Sequence, residues 1–205
     1  MYALVEDNNI TKIITNPKSL VIGDVRYPAK IFSVWSQSEL NAIGIYEVIT
    51  DSSNKKNEKW YNNTNESYSF ADNKVTRSWG TATPKAHADT LFTAQDETDG
   101  SGIEGNVKVE GLKTILIRSL KTTVANELAK TDWYITRNTE KSTAIPSAVS
   151  THRDAVRTKQ AEMETAIINA GDTPALETLY TYINTGTEEN PVYERPLGEL
   201  PTLEN

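Results

Sequence analysis

Short runs of alternating apolar and polar residues dominate the first third of the chain and predict β-strands. MYALVEDNNITKIIT indicates two strands joined by a turn at residues 7–9, and VIGDVRYP indicates a hairpin that turns at residues 23–24. Ser36 and Glu39 have the spacing of a capping box, which predicts one short helix. Gly44 suits the left-handed position after that helix, and IYEVIT then predicts a further strand.

Aromatic residues mark the strands that follow the polar loop DSSNKKNE. Tyr68 and Phe70 alternate with serines, while Val75, Arg77 and Trp79 share one face of a period-two pattern. The intervening ADNK is typical of a tight turn. This region is therefore interpreted as an antiparallel hairpin or a three-stranded meander with one solvated face.

Helical periodicity replaces this pattern in the second half of the chain. A first long helix is predicted by apolar residues at four-residue steps: Leu112, Leu116, Leu120, Val124 and Leu128. Ile115 and Ile117 would widen its apolar face. A second helix opens at Pro146 and carries a similar stripe: Val149, Val156, Met163 and Ile167. A third opens at residues 172–174 and has its own stripe: Leu176, Leu179, Tyr180 and Ile183.

These patterns together predict an α+β fold with four parts. Residues 1–95 form a small antiparallel β-rich module with one short helix, and a further short helical stretch from Pro84 closes it. Residues 96–107 form a linker, residues 108–185 a helical hairpin module, and residues 186–205 an extended C-terminal arm.

Composition narrows the classes of function. The chain has 205 residues, 37% hydrophobic and 24% charged, as a globular protein does. A net charge of −7 argues against broad electrostatic binding to nucleic acid or to an anionic membrane. The chain contains no cysteine, which excludes disulfides, thiolate nucleophiles and cysteine-ligated zinc, and it has no apolar run as long as a membrane span. We therefore expect neither nucleic acid nor a membrane as a partner.

Candidate chemistry is sparse. His87 and His152 are the two histidines, and neither belongs to a His-Glu-x-x-His pattern. They could serve as a general base or metal ligand, or simply make polar contacts. Nucleophile-elbow, phosphate-loop and dinucleotide-binding motifs are also missing from the sequence. The chain is therefore predicted not to be an enzyme and to need no cofactor, metal or small-molecule substrate.

A basic and aromatic cluster in the second half is the main candidate site. Its members are Trp133, Tyr134, Arg137, Lys141, Arg153, Arg157 and Lys159. One interpretation is a surface for nucleic acid or an acidic partner, since aromatic rings and arginines can stack on bases. The other is that the arginine stems cover an aromatic joint between two helices, because acidic residues interrupt the positive charge. Asp132 would then cap or pair locally, and Trp133 would anchor the joint.

The C-terminal arm carries apolar residues between prolines and glutamates. Four of them are candidate docking residues: Val192, Tyr193, Leu197 and Leu200. A free tail of this composition would be mobile, and we expect the arm instead to pack on its own domain or on another chain.

Two parts of the sequence resemble proteins of tailed bacteriophages. LAKTDWYITR, then IP and HRDAVRT, resembles the C-terminal module of tail-fibre assembly and tail assembly chaperone-like proteins. In that family a helix ends in Leu-x-x-(Ser/Thr)-Asp-Trp, a linker follows, and the next helix carries aromatic-Arg-x-x-x-Arg. The matching positions are Leu128, Thr131, Asp132, Trp133, His152, Arg153 and Arg157. The N-terminal MYALVEDN and YPAKIFSVWSQSELNAIGIYEV are similar to tail-region proteins of marine and cyanobacterial phages.

The resemblance implies a non-enzymatic structural protein of the phage tail, baseplate or tail fibre. Such a protein would be made in the host bacterial cytoplasm, join the virion tail, and contact other tail, baseplate or fibre proteins in an oligomeric setting. The alternative is an assembly chaperone that leaves before the virion matures. His152 stands where the family usually has tyrosine, and the aromatic hairpin at 58–82 and the arm at 186–205 are additions. These additions suit a protein that stays in the particle as well as one that folds fibres and leaves. A hydrolase that uses His87 or His152, and a nucleic-acid-binding protein, remain as further hypotheses.

Overall fold

The computed structural model describes residues 1–203 and contains both strands and helices, which confirms the predicted α+β class. The chain divides into two compact units, of which the first spans Met1–Thr83 and the second begins at Pro84. The boundary therefore lies before the one predicted after residue 95. Residues 96–107 do not form a linker, because they fold as part of the second unit.

The first unit contains most of the strands. Its elements, with the strand that crosses the boundary, are β1 (Tyr2–Glu6), β2 (Asn9–Ile14), β3 (Leu20–Ile22), β4 (Val25–Tyr27), α1 (Ile31–Val34), α2 (Gln37–Ala42), β5 (Ile45–Thr50), β6 (Tyr61–Asn62), β7 (Ser67–Ala71), β8 (Lys74–Ser78) and β9 (Thr83–Pro84). Two short helices thus take the place of the one predicted.

A five-stranded sheet in the order β2-β1-β5-β8-β7 forms the centre of this unit. The predicted hairpins β1–β2, β3–β4 and β7–β8 are confirmed. Asp72 and Asn73 both adopt positive φ between β7 and β8, as the tightest hairpin turns require. The sheet is not wholly antiparallel, since β5 and β8 run parallel. Strand β7 runs antiparallel to β8 and lies between β5 and β8 in the sequence, so β8 runs in the same direction as β5.

Alternation along β1 sends side chains to both faces of the sheet. Leu4 joins the larger apolar cluster with Leu40 and Ile45, whereas Ala3 and Val5 join a smaller cluster on the opposite face. The capping box of α2 is confirmed: Ser36 Oγ accepts from the Glu39 N–H, and the Glu39 carboxylate accepts from the Ser36 N–H. The bonds that this carboxylate accepts from the Ser36 N–H and from the Ser36 hydroxyl lower the pKa of Glu39.

The second unit is mainly helical. Its elements after β9 are β10 (Thr90–Leu91), α3 (Ala94–Thr98), β11 (Val107–Val109), α4 (Leu112–Ala129), α5 (Asp132–Lys141), α6 (Ser147–Asn169), α7 (Thr173–Tyr180), β12 (Ile183–Asn184) and β13 (Tyr193–Glu194). Within residues 1–203, no helix combines the length and apolar composition that a membrane span needs.

The prediction of a short helix that begins at Pro84 is wrong. Residues 90–91 form β10, which pairs with β11, and the helix begins only at Ala94. Thr93 explains this shift, because its hydroxyl accepts from the Asp96 N–H while the Asp96 carboxylate accepts from the Thr93 N–H. The predicted linker thus overlaps the end of α3 and the first residue of β11.

The long helices α4 and α6 pack against each other as a helical hairpin. The predicted stripes are buried at Leu112, Leu116, Leu120 and Val124 of α4, and at Val149, Val156, Met163 and Ile167 of α6. Ile115 does not widen the buried face, since it is 45% exposed. The predicted start of α7 at residues 172–174 is confirmed, and Asp172 caps this helix by accepting from the Ala175 N–H at 2.8 Å.

Two regions differ from the predicted helical module. The segment after α4 is not a linker but a ten-residue helix, α5, which buries none of its residues fully. Ile183 lies outside α7, because the helix ends at Tyr180 and Thr181 adopts an extended conformation. Ile183 instead pairs with Glu194 in a hairpin of β12 and β13.

Candidate protein interface

The joint between α4, α5 and α6 is organised around Arg153. Its Nη1 donates to the Leu128 carbonyl at 2.8 Å, to Thr131 Oγ1 at 2.7 Å and to Asp132 Oδ1 at 2.8 Å. The Arg153 side chain is 11% exposed, and Thr131 is 2% exposed. Leu128 contributes one of the last carbonyls of α4, which lack a partner within the helix, so a cation suits this position. Arg153 thus lies at the joint between the helices, which is one of the two positions predicted for the arginines.

His152 lies beside this joint, on the buried stripe of α6 between Val149 and Val156. Its Nε2 is 3.4 Å from Glu127 Oε1, which is close enough for an ion pair if the ring is protonated. These two atoms do not form a hydrogen bond, and Nε2 has no other partner among the described residues. Glu127 also accepts from Lys130 Nζ at 2.5 Å. His152 therefore packs inside the unit.

The prediction that Trp133 anchors the joint is wrong, because Trp133 is 51% exposed. Its ring lies 3.7 Å from the ring of Tyr134, centroid to centroid. The Arg137 guanidinium sits 4.8 Å from the Trp133 ring and 5.6 Å from the Tyr134 ring. Trp133, Arg137 and Lys141 recur at four-residue steps along the helix. These three residues and Tyr134 are named the α5 surface.

The remaining basic residues do not extend the α5 surface into a continuous positive stripe. Arg157 is about half exposed and pairs with Asp154 at 3.2 Å on the same helix. Lys159 pairs with Glu162 at 3.3 Å. The predicted cluster therefore separates into a structural arginine, Arg153, the α5 surface, and locally neutralised residues on α6.

The predicted arm also separates into two parts. Leu197 is 3% exposed and its N–H donates to the Leu179 carbonyl at 3.0 Å, so this part packs on the chain's own unit. Leu200 is half-buried beside it. Together with α4, α6 and α7 this part encloses a pocket of about 270 Å³. Val192 and Tyr193, by contrast, are 50% and 64% exposed.

Val192 and Tyr193 belong to a projecting hairpin that sequence reasoning missed. Residues 181–194 are all exposed, and Tyr182 and Ile183 present further apolar surface on its first strand. The sequence signal for this hairpin is the β-branched and aromatic run TYI directly after α7. The apolar spacing of the helix, however, predicts that Ile183 belongs to α7. We name residues 181–194 the β12–β13 hairpin.

The base of the β12–β13 hairpin is firmly held. Arg195 lies over the rings of Tyr180 and Tyr182, at 5.5 and 5.6 Å, and its Nη2 pairs with Glu199 at 2.7 Å. Tyr182 Oη donates to Glu199 Oε1 at 2.5 Å, and this bond raises the pKa of the Tyr182 phenol. The loop is also ordered, since Asn184 Oδ1 accepts from the N–H groups of Gly186 and Val192, each at 3.0 Å.

The two histidines do not form a joint site. His87 is half-buried, and its carbonyl accepts from the Lys113 N–H at 3.0 Å. Across residues 1–203, no group of three or more histidine, aspartate and glutamate side chains is arranged to hold a metal ion.

Comparison of the chain with protein-family models, with curated proteins and with solved structures finds no match. The motif residues and the surfaces described above are therefore the features that bear on function. Two of these surfaces are suited to protein contacts: the α5 surface and the β12–β13 hairpin. Both expose aromatic side chains, which protein interfaces favour over the rest of a surface.

Proposed function

We propose that this chain is a non-enzymatic structural protein of a bacteriophage tail, baseplate or tail-fibre region, and that it acts in the virion through protein–protein contacts. It would be made in the host bacterial cytoplasm and would then join other tail, baseplate or fibre proteins. The phage setting is supported by the resemblance of the Leu-x-x-Thr-Asp-Trp and His-Arg-x-x-x-Arg motifs, and the mode of action by the α5 surface.

The observation that carries the proposal is the arrangement of the two motifs in space. Asp132 and Arg153 are 21 positions apart, yet their side chains pair at 2.8 Å. The same arginine binds Thr131 and the carbonyl of Leu128. The two motifs that carry the resemblance thus form a single joint. Beside the joint, Trp133 is the second residue of α5 and has half of its surface in water.

A half-exposed tryptophan in contact with a tyrosine and an arginine is an expected centre of a protein interface. Tryptophan, tyrosine and arginine are the residue types whose removal most often weakens protein binding. Arg137 is also held against both rings, so little side-chain entropy would be lost when a partner covers the group. The joint would therefore act as scaffolding that presents the α5 surface.

The test is mass spectrometry of gradient-purified virions whose genome encodes this chain. The amount of the chain should be scaled to a known tail component and compared with the infected-cell lysate. We expect the chain in the particle at a fixed small stoichiometry. Its presence in the lysate alone, bound to a fibre fragment, would contradict the proposal and would favour the assembly chaperone.

A further inference from the structure

The acidic tip of the β12–β13 hairpin complements the α5 surface. Glu188 and Glu189 lie in the loop of the hairpin, and no cation among the described residues pairs with either carboxylate. Val192 and Tyr193 follow Glu189 after two intervening residues and are at least half exposed. The hairpin therefore presents negative charge and apolar surface side by side.

The α5 surface has the opposite charge and a similar apolar content. Arg137 and Lys141 form no ion pair within the described part of the chain. Of the acids in this helix, Asp132 is already bound to Arg153. The Nε of Arg137 is buried and lacks a hydrogen-bond partner among residues 1–203, and Trp133 supplies the apolar part. Two unpaired cations thus stand beside exposed aromatic surface in a protein whose net charge is −7.

We infer that the β12–β13 hairpin of one copy docks on the α5 surface of a second copy. Glu188 and Glu189 would face Arg137 and Lys141, while Tyr193 and Val192 would cover Trp133. Opposite charges placed around an apolar centre align two partners and reject wrong ones. The inference goes beyond the proposed function, because it concerns contacts between copies of this chain and needs no virion.

The hairpin can act as a rigid insert for this purpose. An isolated two-stranded hairpin is marginally stable in water, but this one is fixed at its base by Arg195 and Glu199 and in its loop by Asn184. Because the ordering entropy is spent when the chain folds, less is lost when the hairpin docks. Exposed Ile183 and Tyr182 would extend the contact along the first strand.

Such a contact is head-to-tail, since the surface used on one copy differs from the surface used on the next. A contact of this type leaves each copy with one unused surface, so association continues until a ring closes or a filament grows. A chain that pairs through one self-complementary patch would stop at a dimer.

The test is sedimentation velocity of the purified full-length protein over a range of concentrations. We expect the wild-type mass to rise above that of a monomer. Trp133→Ala or Tyr193→Ala should weaken association by about tenfold or more, as the loss of a central aromatic residue does in other interfaces. Ile168→Ala is the matched control, since Ile168 is 56% exposed on α6, outside both surfaces.

Mixing distinguishes a head-to-tail contact from other modes of association. A Trp133→Ala chain has an intact hairpin, and a Tyr193→Ala chain has an intact α5 surface, so the mixture should form a dimer and no larger species. As a separate test without mixing, Arg137→Glu should also weaken association. Adding Glu188→Lys and Glu189→Lys to the same Arg137→Glu chain should restore it. A wild-type protein that stays monomeric, variants that associate normally, or a mixture that stays monomeric would each overturn the inference.

Discussion

Arg153 Nη1 lies 2.8 Å from Asp132 Oδ1 and also 2.8 Å from the carbonyl oxygen of Leu128. One side chain of α6 therefore binds the last turn of α4 and the first residue of α5. Because the Arg153 side chain is only 11% exposed, its bonds to Leu128 and Thr131 are largely shielded from water, whereas the Asp132 side chain is 61% exposed. Removal of the Arg153 side chain would cost the hydrogen bonds of a largely buried cation, which stabilise more than an exposed ion pair does.

Replacing Arg153 with alanine should therefore destabilise the second unit by about 2–3 kcal/mol, the range for charged hydrogen bonds to shielded groups. Arg157→Ala is the matched control on the same helix, since its side chain is about half exposed and pairs with Asp154. It should change stability by less than about 0.5 kcal/mol. Urea unfolding followed by far-UV circular dichroism measures both, because the long helices all lie in the second unit. Equal effects of the two changes would contradict the proposed role of Arg153.

The neighbouring isoleucines of α6 give a direct test of the helical core. Ile167 is fully buried and Ile168 is 56% exposed, although the two residues are identical in type and adjacent in sequence. Ile167→Ala should cost about 2–5 kcal/mol through the cavity it leaves. Ile168→Ala should cost less than about 0.5 kcal/mol, as surface changes usually do. Urea unfolding by far-UV circular dichroism compares them, and a larger loss for Ile168 would mean that the face of α6 is assigned wrongly.

Gly44 should tolerate alanine less well than Gly23. Both glycines have positive φ, at +80° and +58°, so a side chain strains each backbone by about 1–2 kcal/mol. At Gly44 an added Cβ would also lie 2.5 Å from the Val5 carbonyl oxygen, whereas at Gly23 it would meet open space. Tryptophan fluorescence during urea unfolding reports on the first unit, which holds three of the four tryptophans. A Gly23→Ala loss equal to that of Gly44→Ala would rule out the close approach of Val5.

The capping box of α3 predicts an unusually acidic Asp96. The hydrogen bond from Lys108, followed by those from the backbone and hydroxyl of Thr93, lowers the pKa of Asp96 from 3.8 to about 2. Because the pKa is lower in the folded state, the stabilisation is complete above pH 3.8 and is lost as the pH falls through about 2. Carbon NMR of the carboxyl group during an acid titration measures this pKa. Lys108→Met should move it up toward 3.8, and a normal value in the unchanged protein would contradict the contact.

The elements that the sequence predicted are those with a strong local signal. Leucines at four-residue steps predicted α4, and Asp-Asn turns predicted two hairpins, because periodicity and turn chemistry act within a few residues. The box of Ser36 and Glu39 predicted α2 for the same reason.

The elements that the sequence missed depend on distant contacts or on weak propensities. Helix α5 has the sequence DWYITRNTEK, which is rich in poor helix formers and buries no residue fully. Its first residue is held by Arg153, 21 positions away. The β12–β13 hairpin was missed because Ile183 continues the apolar spacing of α7, and only its pairing with Glu194 reveals the strand. The chemistry of the α5 surface was visible in the sequence, but the exposure of Trp133 was not.

The most direct test of the central claim is the amount of this chain in gradient-purified virions when its α5 surface is changed. A phage that lacks its own copy would be complemented with the wild-type chain, with Trp133→Ala, or with Ile168→Ala as the exposure-matched control. We predict that the wild-type and control chains enter the particle at the same fixed stoichiometry, while Trp133→Ala remains folded in the lysate and is depleted from virions. Absence of the wild-type chain from virions, or normal incorporation of Trp133→Ala, would contradict the account.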